Sequence, residues 1–176
     1  MPIILSVLAL LGAAYFWASR ARNAANMAND LADMASDVVG AARRFGFRRR
    51  VNTHPVDSLE DADVAIAALG IGFLELAGLP SSEQHAALIV SLQSNLGQSH
   101  DRAQEAVILG RWLITESGGP VTGIDRLGRR LWRLKGAAAF QPLMAVLHDI
   151  AAVGGGTMSL RQKEALEALA VVFRLT

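Results

Sequence analysis

The chain has 176 residues, 52% of them hydrophobic but only 6% aromatic, with a formal net charge of +1 and no cysteine. The near-neutral balance excludes a globally basic nucleic-acid binder and leaves room only for local patches. The missing cysteine excludes a thiol nucleophile and agrees with a cytoplasmic body. Ala, Leu and Val supply most of the apolar surface, which favours closely packed helices, and the length allows one ordinary domain plus a connecting segment.

The first element is an uncharged apolar run, Ile3 to Ala18, ended by Arg20 and Arg22. Its 16 residues span about 24 Å as a helix, against a hydrocarbon core of about 30 Å. Snorkelling arginines and the interfacial residues Tyr15 and Trp17 close that gap. The sequence therefore predicts a membrane anchor over residues 1–22, with Ile3, Leu5, Leu8, Leu11, Tyr15 and Trp17 in the bilayer. A cleaved signal peptide and a buried core helix are the competing readings. A signal peptide normally begins with positive charge, and here all of it follows the run. The positive-inside rule then puts the amino terminus outside and the body in the cytoplasm, a single-pass arrangement.

Residues 23–56 form a juxtamembrane segment. Ala24, Met27, Leu31, Met34, Val38, Ala41 and Phe45 recur in alternating steps of three and four, which places them on one helical face. Met27, Leu31, Met34 and Val38 are the candidate seam of a short parallel coiled coil giving a homodimer. Packing on the chain's own domain, or on a membrane partner's helix, uses the same face. Arg43, Arg44, Phe45, Phe47, Arg48, Arg49 and Arg50 follow, a mixture suited to anionic headgroups or to an acidic partner, with a plain solvated linker as the alternative. The same residue types suit single-stranded nucleic acid, but adjacency to an anchor favours lipid, and no nucleic-acid partner is expected. Asn52-Thr53-His54-Pro55 breaks the helix and sets the domain boundary.

Residues 57–176 read as all-helical, with no period-two alternation. Asp57 or Ser58 is the expected cap of a first helix that carries Glu60, Asp61 and Asp63 at its positive end. From Val64 to Leu76 this helix is apolar nearly all round and is expected at the centre of a bundle. Gly78-Leu79-Pro80 stops it; a second helix runs from Ser81 or Ser82 to about Leu96, and Ser99 caps a third. Gly118, Gly119, Pro120 and Gly123 read as a loop, followed by helices over 125–135, 137–152 and 159–174. Arg126, Arg129, Arg130 and Arg133 form a basic stripe opposite Leu127, Leu131 and Leu134. With an exposed Trp132 it would suit the membrane surface or an acidic partner; a solvated face is the plainer reading.

Two turns match. Ala77-Gly78-Leu79-Pro80-Ser81-Ser82-Glu83-Gln84 aligns without gaps to Gly155-Gly156-Thr157-Met158-Ser159-Leu160-Arg161-Gln162, and Leu69, Ala87 and Leu88 align to Leu147, Ala165 and Leu166. Each unit is a helix, a glycine turn, a serine cap and a second helix with Gln at the third position, the arrangement of a capping box. Across Asp57 to Leu175, in helix order, in these turns and in segments such as Asp149-Ile150-Ala151-Ala152, the chain resembles the TerB-like family, named after a tellurite-resistance protein and found also in membrane-anchored DnaJ-like co-chaperones. The resemblance implies an all-α bundle of two pseudo-repeated halves at a bacterial inner membrane. No H-P-D signature is present, so stimulation of an Hsp70 is not carried over.

The family's turns have the form D-G-x-[IV]-[ST]-x-x-E, whose acids would supply oxygen ligands to a cation. Here Ala77 and Gly155 stand for Asp, and Gln84 and Gln162 for Glu. No metal, cofactor or catalytic residue is therefore expected, and Glu75, Glu83 and Asp149 are isolated carboxylates. His54, His85, His100 and His148 lack a ligand spacing, with His148 expected to be partly buried. Neither a phosphate loop nor a G-x-S-x-G elbow occurs. The sequence points to a noncatalytic, membrane-anchored interaction module, a scaffold or accessory subunit of a membrane or stress-response assembly. A cation-sensing protein linked to tellurite or envelope stress is the alternative.

Overall fold

The computed structural model describes residues 35–47, 52–153 and 155–174. The anchor residues Ile3, Leu5, Leu8, Leu11, Tyr15 and Trp17, the seam residues Met27, Leu31 and Met34, and Arg48, Arg49 and Arg50 lie outside them. The chain divides into two units, Met1–Asp37 and Val38–Thr176. In the first, the described residues 35–37 are helical. The second is an all-helical bundle with no strand among the described residues. Its elements are α1 over 38–44, a 3-10 turn at Pro55–Ser58, α2 (Ala62–Glu75), α3 (Ser82–Leu96), α4 (His100–Glu116), α5 (Pro120–Lys135), a second 3-10 turn at Gly136–Ala139, α6 (Phe140–Val153) and α7 (Leu160–Val172).

Helix α2 occupies the centre, as its all-round apolar sequence predicts. Ala62 and every residue from Val64 to Leu74 are buried, under α3, α4, α5 and α6. Each large side chain removed from water here stabilises the fold by about 1.5–3 kcal/mol. Helices α2 and α4 run parallel, with Asp61 beside Arg102, Ala68 beside Gly110 and Gly72 beside Ile114. Gly110 permits the approach, because a Cβ there would stand 2.8 Å from the backbone Cα and N of Ala68. Backbone cannot swing aside as a side chain can, so overpacking at this crossing costs about 1–3 kcal/mol.

The expected cap of α2 needs correction. Asp61, not Asp57 or Ser58, is the cap, its Oδ1 accepting from the Asp63 N–H at 2.8 Å and the Val64 N–H at 3.3 Å. Residues 55–58 instead form their own turn, started by Pro55, whose fixed φ suits a first helical position. The His54 imidazole caps that turn by accepting from Val56 N–H. Ser58 is buried, and Asp57 faces the arginines of α5.

A second correction falls at 118–123. These residues are not one loop: α5 begins at Pro120, after Gly119 at φ 107°. Proline is pre-organised for the first helical turn, where its missing N–H costs nothing. Gly123 is inside the helix, where a Cβ would lie 2.7 Å from Ile114 Cδ1, so close packing explains a glycine that the sequence presents as a turn signal.

Among the described residues one helical stretch, Pro120–Val153, is long and apolar enough to cross a membrane by length and composition. It bends at Gly136 (φ 59°, ψ −146°), and its arms pack on different helices, α5 against α2 and α7, α6 against α3. Of its most apolar window, 28% is buried inside the fold. The closing helix α7 rests on α5 through Leu169, next to Phe173, which meets Trp132 edge-on and Phe140 at a tilt.

Candidate interaction surface

The end of the seam is occupied by the chain's own body. Ala41 is 1% exposed, and Val38, Ala42, Phe45 and Phe47 pack partly buried against the core. Three contacts fasten the segment to α4. Arg44 pairs with Glu105, the Arg102 guanidinium lies 4.6 Å over the Phe45 ring, and Phe47 meets Trp112 edge-on at 5.7 Å. Arg102 also reaches Asp61 at 2.7 Å, so one guanidinium joins α1, α2 and α4. Two observations bear on the sequence reading. Residues from Val38 onward join the compact unit, ahead of the expected boundary at 57. Phe45 and Phe47 are half-buried, whereas Arg43 and Arg44 are exposed.

The basic stripe of α5 is real as a pattern but committed within the fold. Arg126 donates to Asp57 at 3.2 Å, Arg133 lies 3.7 Å from the same carboxylate, and Arg130 Nε donates to the Leu59 carbonyl at 2.6 Å. Arg129 forms a bidentate pair with Asp125 one turn earlier. Trp132 is half-buried against Phe173 with Arg174 over its face, not exposed. The segment 54–61 is thereby strapped to α5, while the Arg129 and Arg133 side chains stay more than half exposed.

The matched turns carry two complete capping boxes. Ser81 Oγ accepts from Gln84 N–H at 3.1 Å while Gln84 Oε1 accepts from Ser81 N–H at 2.9 Å; Ser159 and Gln162 repeat this at 3.2 and 2.9 Å. The boxes differ in setting. The first is exposed, whereas Gln162 is buried and its Nε2 donates to the Phe73 carbonyl at 3.0 Å, closing an otherwise orphan acceptor at the end of α2.

The remaining polar candidates have structural partners. Asp149 Oδ2 accepts from Ser91 Oγ at 2.7 Å and Asn95 Nδ2 at 2.9 Å, a polar tie between α3 and α6. His148 is exposed, its side chain retaining 85% of its accessible surface, which corrects the expectation of partial burial. His54 also reaches the Glu116 carbonyl through Nε2 at 3.2 Å. Glu75, His85 and Arg111 meet where α2, α3 and α4 converge. Burial pushes the Glu75 carboxyl above its usual range, opposed by Arg111 and then His85. Among the described residues no group of three or more His, Cys, Asp or Glu is arranged to hold a metal ion.

No protein family, no curated protein and no solved structure matches the chain.

Proposed function

We propose that the chain is a membrane-anchored, noncatalytic interaction module, a scaffold or accessory subunit whose body faces the cytoplasm. The observation that carries this reading is the uncharged run Ile3 to Ala18, with its positive charge confined to the following side. The body supports it. The Asp149, Gln84, Gln162 and α5 arginine side chains, which would otherwise be candidates for chemistry, are engaged in caps, ties and ion pairs.

The docked α1 narrows the partner surface. Since Val38, Ala41 and Phe45 serve the body, the part of the seam left for a second copy or a partner's helix is Met27, Leu31 and Met34. Arg43, Arg44 and Arg48 to Arg50 are the set that would meet anionic headgroups or an acidic partner, with the α5 arginines partly engaged by Asp57 and Asp125. Detergent extraction of the crosslinked full chain, followed by mass spectrometry, tests the reading. Crosslinks from residues 23–50 to a membrane protein or to a second copy support it; extraction as a monomer with no crosslinked membrane protein contradicts it.

A further inference from the structure

Three links between helices meet at one end of the bundle, around the last turn of α2. Gln162 donates to the Phe73 carbonyl and Ser159 Oγ lies 3.5 Å from the Leu76 carbonyl, which brings the link before α7 to that turn. A Cβ at Gly72 would stand 2.9 Å from Ile114 Cδ1 and 3.0 Å from Ile124 Cγ1, so the end of α4 and the start of α5 are there too. The link from α2 to α3 joins them by continuity. Four of the seven large hydrophobic side chains exposed among the described residues belong to this end: Leu79, Val121, Val153 and Leu160. Leu79 is fully exposed, and Leu160 and Val121 retain 72% and 67% of their accessible surface. Such side chains are ordinary when scattered singly, but gathered on one patch they mark an interaction surface.

The chemistry of the patch selects its occupant. Residues 77–82, 117–122 and 155–160 contain no charged and no aromatic side chain. The opposite end, by contrast, carries His100, Asp101 and Arg102 in the first turn of α4 and Arg133 and Lys135 in the last turn of α5. Protein interfaces are enriched in aromatic residues and arginine, which these links lack. A bilayer instead penalises charge and unpaired backbone. The turns meet both demands, since Gly78 N–H donates to the Glu75 carbonyl, Gly118 to Thr115, Gly119 to Ile114 and Gly156 to Ala151. We propose that this end of the bundle rests on a lipid surface, with Leu79, Val121 and Leu160 inserted at the level of the headgroups and upper acyl chains. The inference rests on the anchored reading, which holds a bilayer beside the body. It needs no anionic lipid, because the contact is aliphatic, and so differs from any contact made by the arginines at 43–50.

The chain has no cysteine, so single substitutions can each carry one polarity-sensitive fluorophore. Leu79→Cys, Val121→Cys and Leu160→Cys place it at the tips, at exposed positions where the fold does not depend on the side chain. Val171→Cys is the control, because Val171 is 63% exposed but stands at the other end of α7, about 16 Å along its axis from Leu160. Leu11→Cys reports the anchor separately. The full chain is reconstituted in phosphatidylcholine vesicles containing a nitroxide-labelled lipid, in high salt, which screens the arginines at 43–50. Labels at all three tips should shift to the blue and lose fluorescence to the nitroxide, while the Val171 label does neither. Tip labels that behave as in water overturn the proposal, as does equal quenching at Val171. The Leu11 label separates the two readings: Leu11 in lipid with the tips in water overturns the proposal and leaves the anchor standing. Leu11 in water with the tips in lipid overturns the anchor and supports the contact, and all labels in water overturn both.

Discussion

Gln84 and Gln162 occupy equivalent places in equivalent boxes, yet only Gln162 is buried and bonded to a second helix. A cap that serves its own helix contributes about 1 kcal/mol, whereas leaving a buried acceptor unpaired costs about 1–3 kcal/mol more. Gln162→Ala should therefore destabilise the fold clearly more than Gln84→Ala, by about 1–3 kcal/mol in urea unfolding. Equal losses would show that the Phe73 contact contributes nothing. The box itself is legible because Ser-x-x-Gln is a local pattern; the burial is not, because it depends on a carbonyl 89 positions away in sequence.

Glu75 gives a prediction with a defined sign. A carboxyl whose pKa is higher in the folded than in the unfolded state binds its proton more tightly when folded, so its contribution to stability falls as pH rises through the ordinary carboxylate range to the raised value. Glu75→Gln removes that titration. Relative to the variant, the wild type should lose stability as pH rises through and above the ordinary carboxylate range. A wild type that gains stability over the variant across that window would mean that Arg111 and His85 outweigh burial.

At the scale of elements, helix identity follows from periodicity, and several ends follow from caps. Ser81, Gly97 and Ser99 bound their helices as the sequence predicts, Gly97 taking the left-handed φ of 65° that a helix end favours. The start of α5 is misread because the same residues, Gly-Gly-Pro, serve a loop or a helix start, and tertiary packing around Gly123 decides between them. The partners of the α5 stripe are hidden for a similar reason: Asp57 is 69 positions away from Arg126, beyond any pattern read along one helix.

The docking of α1 is likewise invisible to a heptad count, since the same face fits a second helix or the chain's own body. Phe47 and Trp112 should show a coupling of about 0.5–1.5 kcal/mol in a double-mutant cycle to alanine. Additive losses would mean that α1 rests on α4 without this contact. The seam residues Val38 and Ala41 thus pack on the bundle's own core.

For the molecule as a whole, the sequence shows an all-α bundle around one buried helix, while the polar network that fixes neighbouring helices emerges only in three dimensions. The same network bears on the cation alternative. Both matched turns use a neutral amide where a cation site would need a carboxylate, and both amides are engaged in caps. Calorimetric titration of the full chain with calcium or magnesium should therefore show no micromolar binding; micromolar binding would favour the cation-sensing reading over the interaction module. The candidate interaction residues remain legible mainly as location: an apolar run, a seam and a cluster of arginines.

That location is tested most directly by membrane fractionation of the full chain. The protein should sediment with membranes, resist alkaline extraction and enter solution only with detergent, with its carboxy-terminal body digestible by protease only from the cytoplasmic side. Recovery in the soluble fraction, or release by alkali, would contradict the anchored module.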